Sequence, residues 1–199
     1  MRSKKAIELI VKRIKEENDF KANVTTVDIT LKLARLLNVL IYRQPLSEKI
    51  EAMVMPFLDG RYLMLVNDTK PLRRQIFSMA HELGHIALSH DLSSGDIFSF
   101  AIKDDDPETK RMDREADYFA AEFLIPAARL KSIVFSRPTD LNTLLRIFFV
   151  SKTAMNKRLS DLGLTDFVKG SKKITPDGNE AIDSQKIERG ILWKEPLFR

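Results

Sequence analysis

The sequence contains no cysteine and only three histidines. Without cysteine the chain can form neither a disulfide nor a thiolate metal site, and thiol nucleophiles are excluded. No apolar run approaches the length of a membrane span, and Lys12 and Arg13 interrupt the apolar stretch that a signal peptide would need. These absences fit a reducing compartment, so we expect a cytoplasmic protein with no membrane segment.

Charge of neither sign dominates the 199 residues. Lys and Arg number 33 and Asp and Glu 28, a net charge of +5, and both signs are interspersed along the chain. This mild excess is compatible with an acidic or nucleic-acid partner but does not require one. The length suffices for one domain with a core and a small appendage.

The spacing of apolar residues predicts an α+β fold. A repeat of 3.6 residues predicts helices over 4–17, 28–37, 71–89, 108–124, 140–149 and 152–162. Strands are predicted over 39–42, 50–57 and 61–66. The last two strands flank Asp59-Gly60, a hairpin signal, so we expect a small antiparallel sheet packed on helices.

The predicted helix 71–89 contains all three histidines, and residues 81–85 read HELGH. His81 and His85 are four residues apart, so both imidazoles lie on one helix face and can bind one zinc ion. Glu82 lies one step round the helix, where its carboxylate can take a proton from the attacking water. With histidine so scarce, this concentration favours a metal site over a chance match on a core helix.

His90 and the carboxylates of helix 108–124 compete as third ligand. His90 comes five residues after His85, one short of the spacing in metzincins, and a continued helix would point it away from the other two histidines. A carboxylate is therefore expected, in a His2Glu site. Glu115 and Glu122 border the apolar stripe, whereas Asp113 and Asp117 are predicted to point further out. The pattern alone leaves both glutamates open.

The sequence resembles the ImmA/IrrE family of metallopeptidases. The matching stretches are ARLLNV (34–39), FSMAHELGHIALSH (77–90), EADYFAAEFLIP (115–126) and LLRIFFVSKTAMNKRLSDLGL (144–164). The resemblance implies a zincin-like core with one Zn²⁺ per chain. It also implies that the glutamate opening the EADYFAAEFLIP motif, Glu115, is the third ligand. Asp117 is then a candidate to orient a ligating histidine through its free ring N–H.

The resemblance also implies a partner. Family members typically cut a helix-turn-helix transcriptional repressor or antitoxin and so relieve repression. We therefore expect a zinc endopeptidase that makes site-limited cuts in such a protein. The alternatives are a non-catalytic or DNA-binding regulator on a peptidase scaffold, and a housekeeping peptidase of broad range.

The chain is predicted to divide into a peptidase core (1–138), a helix-turn-helix-like pair (139–168) and a partly ordered tail (169–199). Packing or substrate docking by the pair is favoured over DNA binding through 140–164, because its cations, which include Lys157 and Arg158, form no strongly basic stripe.

Two further predictions concern the bound substrate. A peptide can pair with an exposed strand edge, and the strand leading into the zinc helix makes Tyr62, Met64 and Val66 candidate substrate-binding residues. Tyr42 and Tyr118 are candidates to stabilise the oxyanion.

Overall fold

The computed structural model describes residues 2–20, 24–92 and 107–171. The helices in these ranges are α1 (Lys4–Glu17), α2 (Thr26–Leu36), α3 (Leu72–Ala87), α4 (Pro107–Leu124), α5 (Ala127–Ser136), α6 (Leu141–Phe148) and α7 (Lys152–Asp161). The strands are β1 (Val39–Gln44), β2 (Ala52–Pro56), β3 (Tyr62–Asn67), β4 (Thr139–Asp140) and β5 (Val168–Lys169). The predicted α+β class is confirmed. Across these ranges, no helix is both long and apolar enough to cross a bilayer.

The main sheet has the strand order β1-β3-β2. Strands β2 and β3 form the predicted antiparallel hairpin, and Asp59 and Gly60 both adopt positive φ in its turn. Strand β1 pairs with β3 in parallel, so the expectation of a wholly antiparallel sheet is wrong and the sheet is mixed. The apolar β3 takes the centre because Met64 and Val66 are fully buried there and both strand edges are paired.

Helix α3 runs through the middle of the fold. Its residues from Gln75 to His85 are nearly all buried, as the apolar pattern on every side of this helix predicts. It packs against α4, α2, β2 and β3, and α1 covers α4. At Gly84 the two central helices come closest, because a Cβ there would lie 3.0 Å from Phe119 Cδ1 and 3.3 Å from the Ala116 backbone. A larger residue would push α4 away from α3.

The pair α6 and α7 begins at two N-caps, where Asp140 accepts from the Thr143 N–H and Ser151 from the Ala154 N–H. The pair contributes Leu144, Phe148 and Leu159 to the same hydrophobic cluster as the central helices. The predicted packing surface is therefore buried against the core.

Helix α5 was not predicted, although its signals are visible in retrospect. Pro126 precedes its first turn, and Leu130 and Val134 are buried at helical spacing. The predicted loop 91–107 and tail 169–199 lie largely outside the described residues.

Candidate metal centre

His81 and His85 project from one face of α3, as their spacing predicts. The Nε2 atoms of the two rings are 3.1 Å apart, and both residues are buried. Tetrahedral zinc with bonds of about 2.0–2.1 Å separates its ligand atoms by about 3.3 Å. The two nitrogens are thus spaced to share one ion.

The carboxylate that can share a metal ion with this pair belongs to Asp113, on α4. An Asp113 oxygen lies 3.7 Å from His85 Nε2, and the donor atoms of His81, His85 and Asp113 all lie within 4.8 Å of one another. Two imidazoles and one carboxylate are a donor set that zinc accepts with a fourth position left open. The residues present therefore fit a metal ion.

Asp117 lies one turn further along α4 and holds the ring of His81. Its Oδ1 is 2.9 Å from His81 Nδ1, and its Oδ2 accepts a hydrogen bond of 2.9 Å from Lys157 of α7. Burial lowers the pKa of His81, but the bond to Asp117 and the neighbouring carboxylates outweigh burial and raise it. Burial alone would raise the pKa of Asp117, but the contacts with His81 and Lys157 lower it.

Glu115, two residues after Asp113 on α4, is 1% exposed. It accepts hydrogen bonds from the Arg2 backbone N–H (2.8 Å), the Arg2 guanidinium (3.0 Å) and the Arg111 guanidinium (2.7 Å). Burial opposes ionisation, but these donors and His90 outweigh it and hold the pKa of Glu115 at about 2. Its role as a metal ligand stays a prediction, while its contacts in the structure are with cations and His90.

His90 does not point away from the other histidines as a continued helix would require. Helix α3 ends at Ala87, Ser89 takes a left-handed φ of 52°, and the His90 N–H bonds back to the His85 carbonyl at 3.0 Å. This turn brings His90 Nδ1 within 3.0 Å of His85 Nδ1, and His90 Nε2 within 3.4 Å of Glu115. The prediction of its direction was wrong because the helix stops before His90.

Glu122, the other carboxylate that the pattern left open, serves the junction with α7. It pairs with the buried Arg158 and accepts from the Ala127 N–H at the start of α5. Arg158 also donates to the Ile125 carbonyl at 3.1 Å and covers the ring of Tyr118. Arg158 is only 1% exposed, so this cation of the helix pair is buried and does not contribute to its surface.

Glu82 lines a cleft together with His81. The cleft has a volume of about 180 Å³ and is lined by Lys49, Glu51, Ala52, Phe77, Ser78, His81, Glu82 and Asp117. Burial raises the pKa of Glu82 to about 7, although His81 and a hydrogen bond from the Val54 backbone oppose the shift. Such a carboxyl group exchanges a proton near neutral pH.

Strand β2, and not β3, borders this cleft. The Glu51 carbonyl accepts from the Asn67 N–H, and the Phe57 N–H donates to the Arg61 carbonyl. In an antiparallel pair the residues that bond to the neighbouring strand alternate with residues whose backbone groups point away from it. The backbone groups of Ala52 and Val54 therefore point outward from the sheet edge. The expectation of a free edge at Tyr62, Met64 and Val66 is wrong, because β3 is paired on both sides.

Neither predicted oxyanion tyrosine is among the residues that line the cleft. The hydroxyl of Tyr118 donates to Glu8 of α1 at 2.6 Å. Tyr42 is exposed on β1, the strand on the other side of β3 from β2.

Sequence reasoning missed Asp113 as a neighbour of the metal pair. The signal was available, since Asp113 and Asp117 are four residues apart and so share one helix face, as His81 and His85 do. The border of the apolar stripe drew attention to Glu115 and Glu122, which the structure uses to bind arginines.

Comparisons with known proteins agree with this fold. The model of the M78 peptidase family, described as an IrrE N-terminal-like domain, matches residues 34–160. A solved structure of a Mycobacterium tuberculosis transcriptional regulator resembles the fold with a TM-score of 0.56 at 20% identity. The similarity covers 77% of this chain but only 46% of that protein. No curated protein sequence matches the chain.

Proposed function

Because the chain belongs to the M78 family of peptidases with an IrrE N-terminal-like domain, we propose that it is a zinc-dependent endopeptidase. It makes site-limited cuts in a protein partner, a cytoplasmic helix-turn-helix transcriptional repressor or antitoxin. The observation that carries the proposal is the cluster of His81, His85 and Asp113 as a possible metal donor set, with His81 lining the same cleft as the buried carboxyl group of Glu82.

His81, His85 and Asp113 are the proposed zinc ligands. When bound, zinc supplies a Lewis acid that polarises the substrate carbonyl and lowers the pKa of water. We favour Asp113 over Glu115 as third ligand because its oxygen lies 3.7 Å from His85 Nε2 and within 4.8 Å of a ring nitrogen of each histidine. Glu115 would have to leave Arg2 and Arg111 to reach the same point.

Glu82 is the proposed general base. Its carboxylate accepts a proton from a water molecule that attacks the substrate carbonyl, and the resulting acid donates the proton to the departing amide nitrogen. A pKa of about 7 suits both halves of this exchange near neutral pH. The position of Glu82 in the cleft, next to His81, supports this role.

The substrate is proposed to lie along β2 as an additional strand. Ala52 lies on the side of β2 that borders the cleft and has outward backbone groups, whereas the outward N–H of Val54 is already bound to Glu82. Backbone pairing gives affinity with little choice of sequence, so the selection of one partner must come from surfaces outside the cleft. The transcriptional-regulator description of the similar structure supports a regulatory partner.

The decisive experiment combines metal analysis with cleavage. Purified wild-type protein should bind one zinc per chain and cut the repressor-like protein encoded beside it at one or very few bonds. Glu82→Gln should retain zinc but lose about 10²–10⁴-fold in turnover, because only the base is removed. His85→Ala should lose both zinc and activity.

Three results would count against the proposal. If the wild-type protein binds no transition metal, the metallopeptidase assignment falls. Near-normal cleavage by zinc-loaded Glu82→Gln would remove the assigned base. Efficient digestion of casein would indicate a peptidase of broad range instead of a partner-specific one.

A further inference from the structure

His81 and His85 each have a second ring nitrogen, Nδ1, which needs a hydrogen-bond partner, and the two partners differ. A ligating histidine usually donates its other ring N–H to a carboxylate or carbonyl, which fixes its orientation. For His81 this acceptor is Asp117. For His85 the neighbour at 3.0 Å is not a carboxylate but Nδ1 of His90.

The hydrogen bonds of His90 determine which nitrogen carries each proton. Glu115 already accepts from Arg2 and Arg111, and as a carboxylate it can only accept. The proton between His90 and Glu115 therefore belongs to His90 Nε2. The neutral His90 ring then has a lone pair on Nδ1, which accepts from His85 Nδ1–H. His85 is left with its lone pair on Nε2, the atom that faces His81.

The surroundings hold this arrangement in place. The side chains of His90 and Glu115 are 2% and 1% exposed, so water cannot replace either partner. Arg2, which immediately precedes the N-cap of α1, fixes Glu115 through both its backbone and its guanidinium, and Arg111 adds a third donor from α4 itself. His90 contacts His85 through Nδ1 and Glu115 through Nε2, so it cannot bring both groups to one ion.

We propose that His90 and Glu115 are positioning residues, which form a relay from Arg2 and Arg111 to His85 and hold its Nε2 lone pair toward the metal. This inference rests on the proposed zinc site and assigns Glu115 a place behind a ligand instead of on the metal. The relay lengthens the usual carboxylate–histidine–metal arrangement by one imidazole.

The test measures zinc affinity of the full-length protein by competition with a chromophoric chelator. Glu115→Gln and His90→Leu should each weaken zinc binding by about 10–100-fold while one-to-one binding is kept. His90→Asn should recover most of this loss, because its side-chain oxygen can accept from His85 near the former Nδ1 position. Glu122→Gln, on the same helix and also paired with an arginine, is the matched control and should bind zinc as the wild type does.

Circular dichroism is used to choose a temperature at which every compared variant is folded. The ¹H–¹⁵N spectrum of the histidine side chains then gives a readout that a purely structural role would not change. In the zinc-loaded protein the proton should be on Nδ1 of His85 and on Nε2 of His90. A proton on Nε2 of His85, or unchanged zinc affinity in folded His90→Leu, would overturn the relay.

The metal itself separates the remaining outcomes. Loss of one-to-one cobalt(II) binding in Glu115→Gln but not in Asp113→Ala would make Glu115 a ligand and overturn the relay. If the wild-type protein binds no metal, the proposed function falls first. If it binds zinc and the relay variants bind equally well, only the relay falls.

Discussion

The two imidazoles of the metal centre are supported in contrasting ways. The His81 ring is hydrogen-bonded directly to Asp117. The side chain of Asp117 is 38% exposed and also binds Lys157 of α7. His85 contacts His90, which in turn contacts Glu115. His90 and Glu115 are both buried, and Glu115 is bound by Arg2 and Arg111. The acceptor of the first support is partly exposed and bound to the helix pair, while in the second support His90 and Glu115 are buried and only the arginines reach the surface.

This difference separates a support whose acceptor is open to solvent from one in which both groups behind the imidazole are buried. Salt screens an exposed charge pair such as Lys157–Asp117, whereas a buried pair is screened much less. The orientation of His81 should therefore respond to ionic strength and to whatever contacts α7. The orientation of His85 should be fixed by the fold itself.

The largest expected effect follows from removing a proposed zinc ligand. His85→Ala and Asp113→Ala should each weaken zinc binding on the order of a thousandfold, since each of three ligands carries about a third of roughly 12 kcal/mol. Competition with a chelator measures the loss, with the exposed Asp161→Ala on α7 as control. Retained affinity in Asp113→Ala, together with loss in Glu115→Ala, would return the third position to Glu115.

The next effect breaks the attachment of the helix pair. Arg158→Met leaves Glu122 buried without its cation and should lower the free energy of unfolding by about 3–5 kcal/mol. Urea unfolding checks this. The double variant Arg158→Met/Glu122→Gln should recover part of the loss, because the uncompensated charge is gone. Full stability in Arg158→Met would mean that the pair is not anchored through this residue.

Asp117→Ala tests the direct support of His81. Zinc binding should weaken by about 10–100-fold, because the ring loses its Nδ1–H acceptor. The defect should shrink between about 0.05 M and 0.5 M salt as the wild type loses part of its own advantage. The defect of Glu115→Gln should be nearly the same at both concentrations. An equal salt response in the two variants would remove the distinction between the supports.

The smallest effect belongs to Lys157→Met. An exposed ion pair contributes about 0–1 kcal/mol, so zinc binding should weaken no more than about fivefold at low salt. At about 0.5 M salt the variant and the wild type should bind equally. A larger loss that persists at high salt would place the Lys157 pair among the buried supports.

The HELGH helix, the central apolar stripe and the hairpin could be predicted because each depends on local spacing. The apolar positions Ala116, Phe119, Ala120 and Phe123 are buried as their periodicity requires. Sheet order could not be predicted in this way, since whether β3 pairs on one side or both depends on residues far apart in the sequence. The free edge was consequently expected on β3, which is paired on both sides.

The contacts of the carboxylates around the metal centre could not be predicted from the apolar pattern. The pattern left Glu115 and Glu122 open as ligands, and both are bound to arginines from other elements in the structure. Asp113 looked too exposed for a ligand, although a catalytic metal must open to solvent on one side. His90 depended on a left-handed Ser89 that no local signal marks, since serine is not a residue that favours this conformation.

The end of α3 at Ala87 has an electrostatic consequence for the centre. The aligned peptide dipoles of a helix leave about half a negative charge at its C-terminus, and the effect is confined to the last turn. His85 lies in that turn. The backbone of α3 thus favours a cation at its own end by roughly 0.3–1 kcal/mol, before any side chain is counted. A zinc ion bound to the three proposed ligands would also neutralise the partial negative charge at the C-terminus of α3.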